Sequence, residues 1–194
     1  GPRRTLAEKQ ALSAIGQPMV VDQYNLALQA VGLLGAQVLL TYDDLANRSR
    51  RINFVNTIDQ LLKWDVMPIL NENDAVATEE IKFGDNDSLS AKVAHATRPD
   101  RLVILTDVEG LFNADPRRVK SARRISELRS VGRSQLAMAG GAGSSRGTGG
   151  MYSKLKAAQE ALAVGIETWL VKGDFPNVLR LVGKNGDVGT RIRK

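Results

Sequence analysis

Residues 66–112 constrain the fold of this chain more than any other stretch. Two short apolar runs, Val66–Leu70 and Leu102–Leu105, bracket a polar loop and a segment with helical spacing. Apolar runs this short, bounded by polar residues, read as buried strands. Asn71, Glu72, Asn73, Asp74, Asp85, Asn86 and Asp87 gather carboxylates and amides just past the first run. Loops at the carboxyl ends of parallel strands face the ligand crevice, so this placement points to a site. Asn and Asp also favour turns. The residues alone leave a solvated, turn-rich loop equally open.

The rest of the chain supplies the frame. Thr5-Leu6-Ala7-Glu8 is a capping box, which predicts a helix from Thr5 to about Ile15 that stops at Gly16. Pro18 suits a first helical turn, so a second helix is expected from there to about Val31. Gly32 and Gly35 bracket a turn, and Ala36–Thr41 is a buried-strand candidate. Residues 43–51 are polar and predict a loop or a helix start. Ile52, Val55, Ile58, Leu61 and Leu62 recur at helical spacing, predicting a helix through about Trp64. Leu89, Val93 and Ala94 mark another helix, capped by Asn86 or Asp87 and ended by Pro99. Residues 125–136 predict a short strand or helix. Beyond them, Lys154–Val164 reads as helix, Ile166–Val171 as strand, Pro176–Leu181 as a short helix and Gly189–Ile192 as a last strand. Strands alternating with helices give the α/β class, with a mainly parallel sheet covered on both faces.

The chain has 194 residues, a length that suits one domain, and 43% of them are hydrophobic, enough for a sizeable core. It has no Cys, which excludes disulfides and thiolate metal sites. No apolar run approaches the roughly 18 residues of a membrane span, and no signal-peptide pattern opens the chain. A cytoplasmic protein with no membrane partner is expected. The formal charge is +6. The basic residues are dispersed, at Arg3-Arg4, Arg48–Arg51, Arg117-Arg118, Arg123-Arg124 and Arg191–Lys194, and no stacking pattern of aromatics accompanies them. Solvated faces account for them, so no nucleic-acid partner is expected, although a basic chain suits anionic small substrates. The single histidine, His95, lies mid-helix and reads as a surface or packed residue, and Met151 and Trp169 read as packing.

A second constellation lies at residues 142–156, AGSSRGTGGMYSKLK, which runs directly into a helix. Glycines let backbone N–H groups approach an anion, and a helix start carries partial positive charge. Lys154 can reach a phosphate there as a point charge. The sequence matches neither common nucleotide loop. Lys154 follows Ser153 rather than glycine, and Tyr152 stands where the dinucleotide pattern needs its third glycine. A flexible glycine linker with a surface lysine is the competing reading.

Several ordered blocks resemble the glutamate 5-kinases of the amino acid kinase family. They are Glu8-Lys9-Gln10-Ala11 with Gly16-Gln17; Pro68 to Val76 (PILNENDAV); Gly84 to Ala91 (GDNDSLSA); Leu105 to Leu111 (LTDVEGL); Ala114-Asp115-Pro116-Arg117; and Gly147-Thr148-Gly149-Gly150-Met151 with Lys154. The resemblance covers essentially the whole chain. It implies an αβα sandwich with a mainly parallel central sheet. It also implies ATP-dependent phosphorylation of the L-glutamate γ-carboxylate to glutamyl 5-phosphate, the first step of proline biosynthesis. It places Asp74 and Asn86 on the substrate, and Lys154 and Asp87 at the catalytic centre, with Asp87 orienting lysine. ATP binding falls to Thr106 and Asp107 after a strand and to Thr148, Gly149, Gly150, Met151, Tyr152, Ser153 and Lys154 in the glycine-rich loop. Mg²⁺ is implied by the ATP chemistry, no dedicated protein metal site is expected, and a homo-oligomer is expected. The competing functions are another amino acid kinase, acting on acetylglutamate, aspartate or carbamate, and a nucleotide- or glutamate-binding fragment without turnover.

The family pattern normally opens with a strand bearing Val-Lys-Leu-Gly-Thr/Ser and a second strand ending in a Ser-Ser-Gly-Ala-like turn, and neither is in this sequence. Residues 1–194 are therefore expected to be one amino acid kinase domain lacking its N-terminal third, without the C-terminal PUA domain of some relatives. Without those neighbours, Ala36–Thr41 and Leu102–Leu105 are expected to expose apolar edge.

Overall fold

The computed structural model describes residues 4–77, 85–116, 118–140 and 150–194. They divide into two compact units between Asn86 and Asp87.

The first unit is built from α1 (Leu6–Gln29), β1 (Leu34–Leu40), α2 (Tyr42–Ala46), α3 (Arg48–Lys63) and β2 (Val66–Glu72). The capping box at Thr5 forms as expected. Glu8 N–H donates to Thr5 Oγ1 at 3.3 Å, and Thr5 N–H donates to Glu8 Oε2 at 2.7 Å. Two expected helices are one, however. α1 runs through both Gly16 and Pro18 to Gln29. An interior proline removes one helical hydrogen bond, a cost of about 3 kcal/mol, so it weakens this helix without dividing it.

Asn47 caps α3, its Oδ1 accepting from the N–H groups of Ser49 at 3.0 Å and Arg50 at 3.1 Å. The buried face of α3 is Phe54 and Ile58, one turn apart. Ile52 and Leu62, expected on that face, are exposed. Their spacing matched a helix, but the stripe that packs is centred one residue away. β1 and β2 pair in parallel, from Leu34 with Val66 to Leu40 with Glu72, and α2 and α3 form the crossover. α1 packs on β1. Gly35 sits inside β1, not in the turn before it. A Cβ there would lie 2.4 Å from Asn25 Oδ1, 2.7 Å from Ile69 Cδ1 and 2.9 Å from Leu28 Cδ1.

The second unit holds α4 (Asn86–Thr97, whose first residue lies at the boundary), β3 (Arg101–Thr106), β4 (Glu127–Leu128), α5 (Arg133–Ala139), α6 (Met151–Ala163), β5 (Glu167–Lys172), α7 (Val178–Gly183) and β6 (Thr190–Ile192). Its sheet has the order β3-β5-β6-β4. β3 pairs with β5 in parallel, and so does β4 with β6; β5 and β6 run antiparallel. Leu155, Ala158, Leu170 and Ile192 are fully buried and pack with Ala91, Ile104 and Leu111. α6 lies on β3 and β5. It ends in a Schellman motif: Ile166 N–H donates to Ala161 O and Gly165 N–H to Leu162 O, each at 3.0 Å, with Gly165 at φ +84°. At the start of β5, burial raises the Glu167 pKa. Hydrogen bonds from Arg191 and the Trp169 indole, with the charge of Arg101, outweigh it and leave the pKa below its ordinary value.

The strands therefore form an α/β structure with mainly parallel pairing. β3 stands at the edge of its sheet, and Leu105 on it is 50% exposed; Leu34 on β1 is 64% exposed. Leu105 is an exposed apolar side chain within the expected segment Leu102–Leu105, whereas Leu34 lies outside Ala36–Thr41, where no apolar residue is exposed and Leu40 is buried.

Gly35→Ala is expected to lower stability by about 1–3 kcal/mol, the range for overpacking a filled contact. Urea unfolding checks this, and an unchanged midpoint would show that α1 and β1 approach less closely.

Candidate functional site

The start of α6 carries the densest polar contact among the proposed site residues. Gly150 occupies the N-cap position, and Met151 opens the helix. Ser153 and Lys154 follow within the first turn. α4 begins at Asn86, so Asn86 and Asp87 lie in its first turn rather than capping it. Lys154 Nζ lies 3.0 Å from Asp87 Oδ2 and 3.2 Å from Oδ1. Ser153 Oγ lies 2.7 Å from the same Oδ2. The two charged side chains are 12% and 11% exposed. A carboxylate and an ammonium this deeply buried stabilise each other against desolvation.

Thr106 ends β3 and Asp107 follows it. Thr106 Oγ1 donates to Asp107 Oδ1 at 3.2 Å, and Gly173 N–H donates to Thr106 O at 2.9 Å. Thr106 is in register with Lys172, which pairs with Asp174 at 3.2 Å. Thr106 and Asp107 thus sit at the carboxyl ends of two parallel strands, where α/β proteins place their ligands. Met151 packs against the buried core, and Tyr152 is exposed. Thr148 and Gly149 lie outside the described residues. His95 is exposed on α4, and Trp169 is buried, as expected of a packing residue.

Asp74 belongs to the first unit. It lines a cavity of about 230 Å³ together with Ser13, Ala14, Gln17, Pro18 and Glu72. Pro18 has no N–H to give to the Ala14 carbonyl four residues earlier, so the break in the α1 ladder falls at this cavity. Glu72, at the end of β2, is buried. Beside it, Asn71 Nδ2 donates to Gln17 Oε1 at 2.8 Å, tying β2 to α1. The structure thus brings Asp87, Ser153 and Lys154 together in the second unit and places Asp74 in the first unit's cavity. Reading the residues alone assigns no role to Gln17 or Ser13. Proline inside a helix opposite the acidic loop is the one signal that could have found that wall.

Among the described residues, no group of three or more His, Asp or Glu is arranged to hold a metal ion. Asp87 is already engaged by Lys154 and Ser153. A resident metal does not fit these residues, and any Mg²⁺ would arrive bound to nucleotide phosphates. Among the described residues no helix is long and apolar enough to cross a membrane.

A family model for the amino acid kinase family matches residues 2–172. A glutamate 5-kinase of Caldanaerobacter subterraneus subsp. tengcongensis is 44% identical over 187 residues, covering 96% of this chain and 50% of that protein. One of Deinococcus radiodurans is 47% identical over 189 residues, covering 97% and 52%. The chain therefore spans about half the length of the curated relatives it matches. Among solved structures, a UMP kinase from Bacillus anthracis aligns with a TM-score of 0.65 at 15% identity, covering 96% of this chain and 69% of that one. That likeness is one of fold.

Removing the carboxylate would take a charged partner from a largely buried ammonium. Asp87→Ala is expected to destabilise by about 3 kcal/mol, and adding Lys154→Met to return most of it, because a buried charge that has lost its carboxylate is the larger penalty. Urea unfolding of the single and double variants checks the coupling, and strictly additive losses would contradict it.

Proposed function

Because the chain belongs to the amino acid kinase family, we propose that it transfers the γ-phosphoryl group of ATP to the γ-carboxylate of L-glutamate. The product is glutamyl 5-phosphate, the entry to proline biosynthesis. The observation that carries the reading is the buried Lys154–Asp87 pair at the start of α6. The choice of glutamate rests on the relatives, which are named glutamate 5-kinases.

One γ-carboxylate oxygen attacks the γ-phosphorus. The new C(O)O–P bond forms as the bond to the β,γ-bridging oxygen breaks, and that electron pair leaves on ADP. The nucleophile is already ionised, so no general base is needed. The difficulty is bringing anions together, and catalysis is mostly positioning and charge neutralisation. Lys154 supplies one positive charge at the phosphates, and Asp87 keeps that ammonium aimed. MgATP is the nucleotide substrate. The glycine-rich run Thr148, Gly149 and Gly150 is assigned to phosphate binding, and Thr106 and Asp107 to holding the nucleotide at the end of β3. In the first unit Asp74 pairs with the α-ammonium group of glutamate, and Asn86 donates to the substrate. Residues 1–194 act as the larger part of one kinase domain, in a cytoplasmic homo-oligomer.

Acyl phosphate trapped with hydroxylamine measures the reaction directly. In the intact protein Lys154→Ala is expected to lower kcat by a factor on the order of 10² to 10³, typical of losing one aimed charge donor. An unchanged kcat would remove Lys154 from the phosphates. Asp74→Ala is expected chiefly to raise the KM for glutamate. An effect confined to ATP would contradict its placement on the amino acid, and a preference for acetylglutamate, aspartate or carbamate would redirect the substrate.

A further inference from the structure

We infer that Ser153 is a positioning residue rather than a nucleotide contact: its hydroxyl fixes the Asp87 carboxylate in the orientation that aims Lys154. The inference rests on reading the site as a phosphoryl-transfer centre. Its structural basis is the geometry at Asp87.

Ser153 and Lys154 are consecutive in α6, so their side chains leave the helix about 100° apart. Both reach the same carboxylate. Oδ2 takes the hydroxyl at 2.7 Å and the ammonium at 3.0 Å, while Oδ1 takes the ammonium at 3.2 Å. Asp87 is therefore gripped from two directions. The final torsion of an aspartate is soft and broadly distributed, so an ammonium alone leaves it free to turn. An ammonium follows a rotating carboxylate easily, because its three donors are arranged about a single axis. The hydroxyl adds a second, fixed anchor, which defines where the carboxylate plane lies.

Ser153 Oγ also lies 2.7 Å from Gly150 O. A hydroxyl has one proton to give, and an ionised carboxylate is the stronger acceptor. Gly150 O already receives the Lys154 backbone N–H at 3.3 Å. The proton therefore belongs chiefly to Asp87, with the carbonyl as its minor acceptor. In this arrangement the Ser153 hydroxyl is spent within the protein. Lys154, by contrast, can turn toward phosphate oxygens while Asp87 keeps a donor. A buried carboxylate that must share the ammonium with phosphate during the reaction stays satisfied.

The test uses three variants of the intact protein. Ser153→Ala and Ser153→Val lack the hydroxyl, and Ser153→Thr keeps it; valine and threonine have nearly the same shape, which separates the hydroxyl from packing. The alanine and valine variants are expected to lower kcat by roughly tenfold to a hundredfold, the value of a hydrogen bond to a charged group. The KM for ATP should stay within about twofold, as for a residue that acts on the transition state alone. Threonine should restore kcat. A raised KM for ATP with kcat unchanged would make Ser153 a nucleotide contact and overturn the inference. Equal loss in the threonine and valine variants would reduce it to packing, and no loss in any variant would overturn it as well. The unsubstituted protein is the control for the reaction itself. If it forms no trapped glutamyl phosphate, the proposed function fails. The positioning claim is then decided by the crystal structure of Ser153→Ala, where the Asp87 carboxylate should turn. An unchanged carboxylate, still bridging to Lys154 through both oxygens, would overturn the inference on its own.

Discussion

The largely buried ion pair Lys154–Asp87 ties together two helix starts of the second unit. Asp87 lies in the first turn of one helix and Lys154 in the first turn of another, and each shields the other's charge where water is largely excluded. The pair therefore fixes the starts of α4 and α6 relative to each other. Both helices also meet the apolar core of that unit, through Ala91 of α4 and Leu155 and Ala158 of α6. A contact that would be a marginal surface bridge elsewhere becomes a structural joint here, and under the proposed function a charge placed for chemistry.

The first unit solves a different problem. Its two parallel strands end at Leu40 and Glu72, and the chain leaves β2 through Asn73 and Asp74 into a cavity walled by α1. Gly35 lets α1 approach the strand closely, and the Asn71–Gln17 hydrogen bond ties the end of β2 to the same helix. Pro18 interrupts the helix ladder at that wall. Carboxylates at one side of a small cavity favour a cationic group, which is the chemistry an α-ammonium offers.

Much of this was legible in the sequence, and the parts that were not share a physical cause. Thr5 and Glu8 announced the start of α1, because capping is decided within one turn. The apolar runs at residues 66–70, 102–106 and 166–171 announced strands by their length and bounds, although only β5 is buried along most of its length and Met67 and Leu105 are exposed. Pro18 was misread as a helix start: local preference pointed there, and packing against β1 carried the helix through. Phe54, not Ile52, turned out to face inward, because spacing gives a helix its period but not its rotation. The Ser153–Asp87 bond could not be read at all. It joins residues 66 apart in the chain, and only the fold brings them together. The antiparallel pairing of β5 with β6 was hidden for the same reason.

The central claim is that Lys154, held by Asp87, faces the transferred phosphoryl group. A crystal structure of the intact protein with a non-hydrolysable ATP analogue and glutamate tests it most directly. The account predicts the Lys154 ammonium within hydrogen-bond reach of a γ-phosphate oxygen, with Asp87 still in contact with it. A γ-phosphate bound elsewhere, with the Lys154–Asp87 pair untouched and closed, would contradict it.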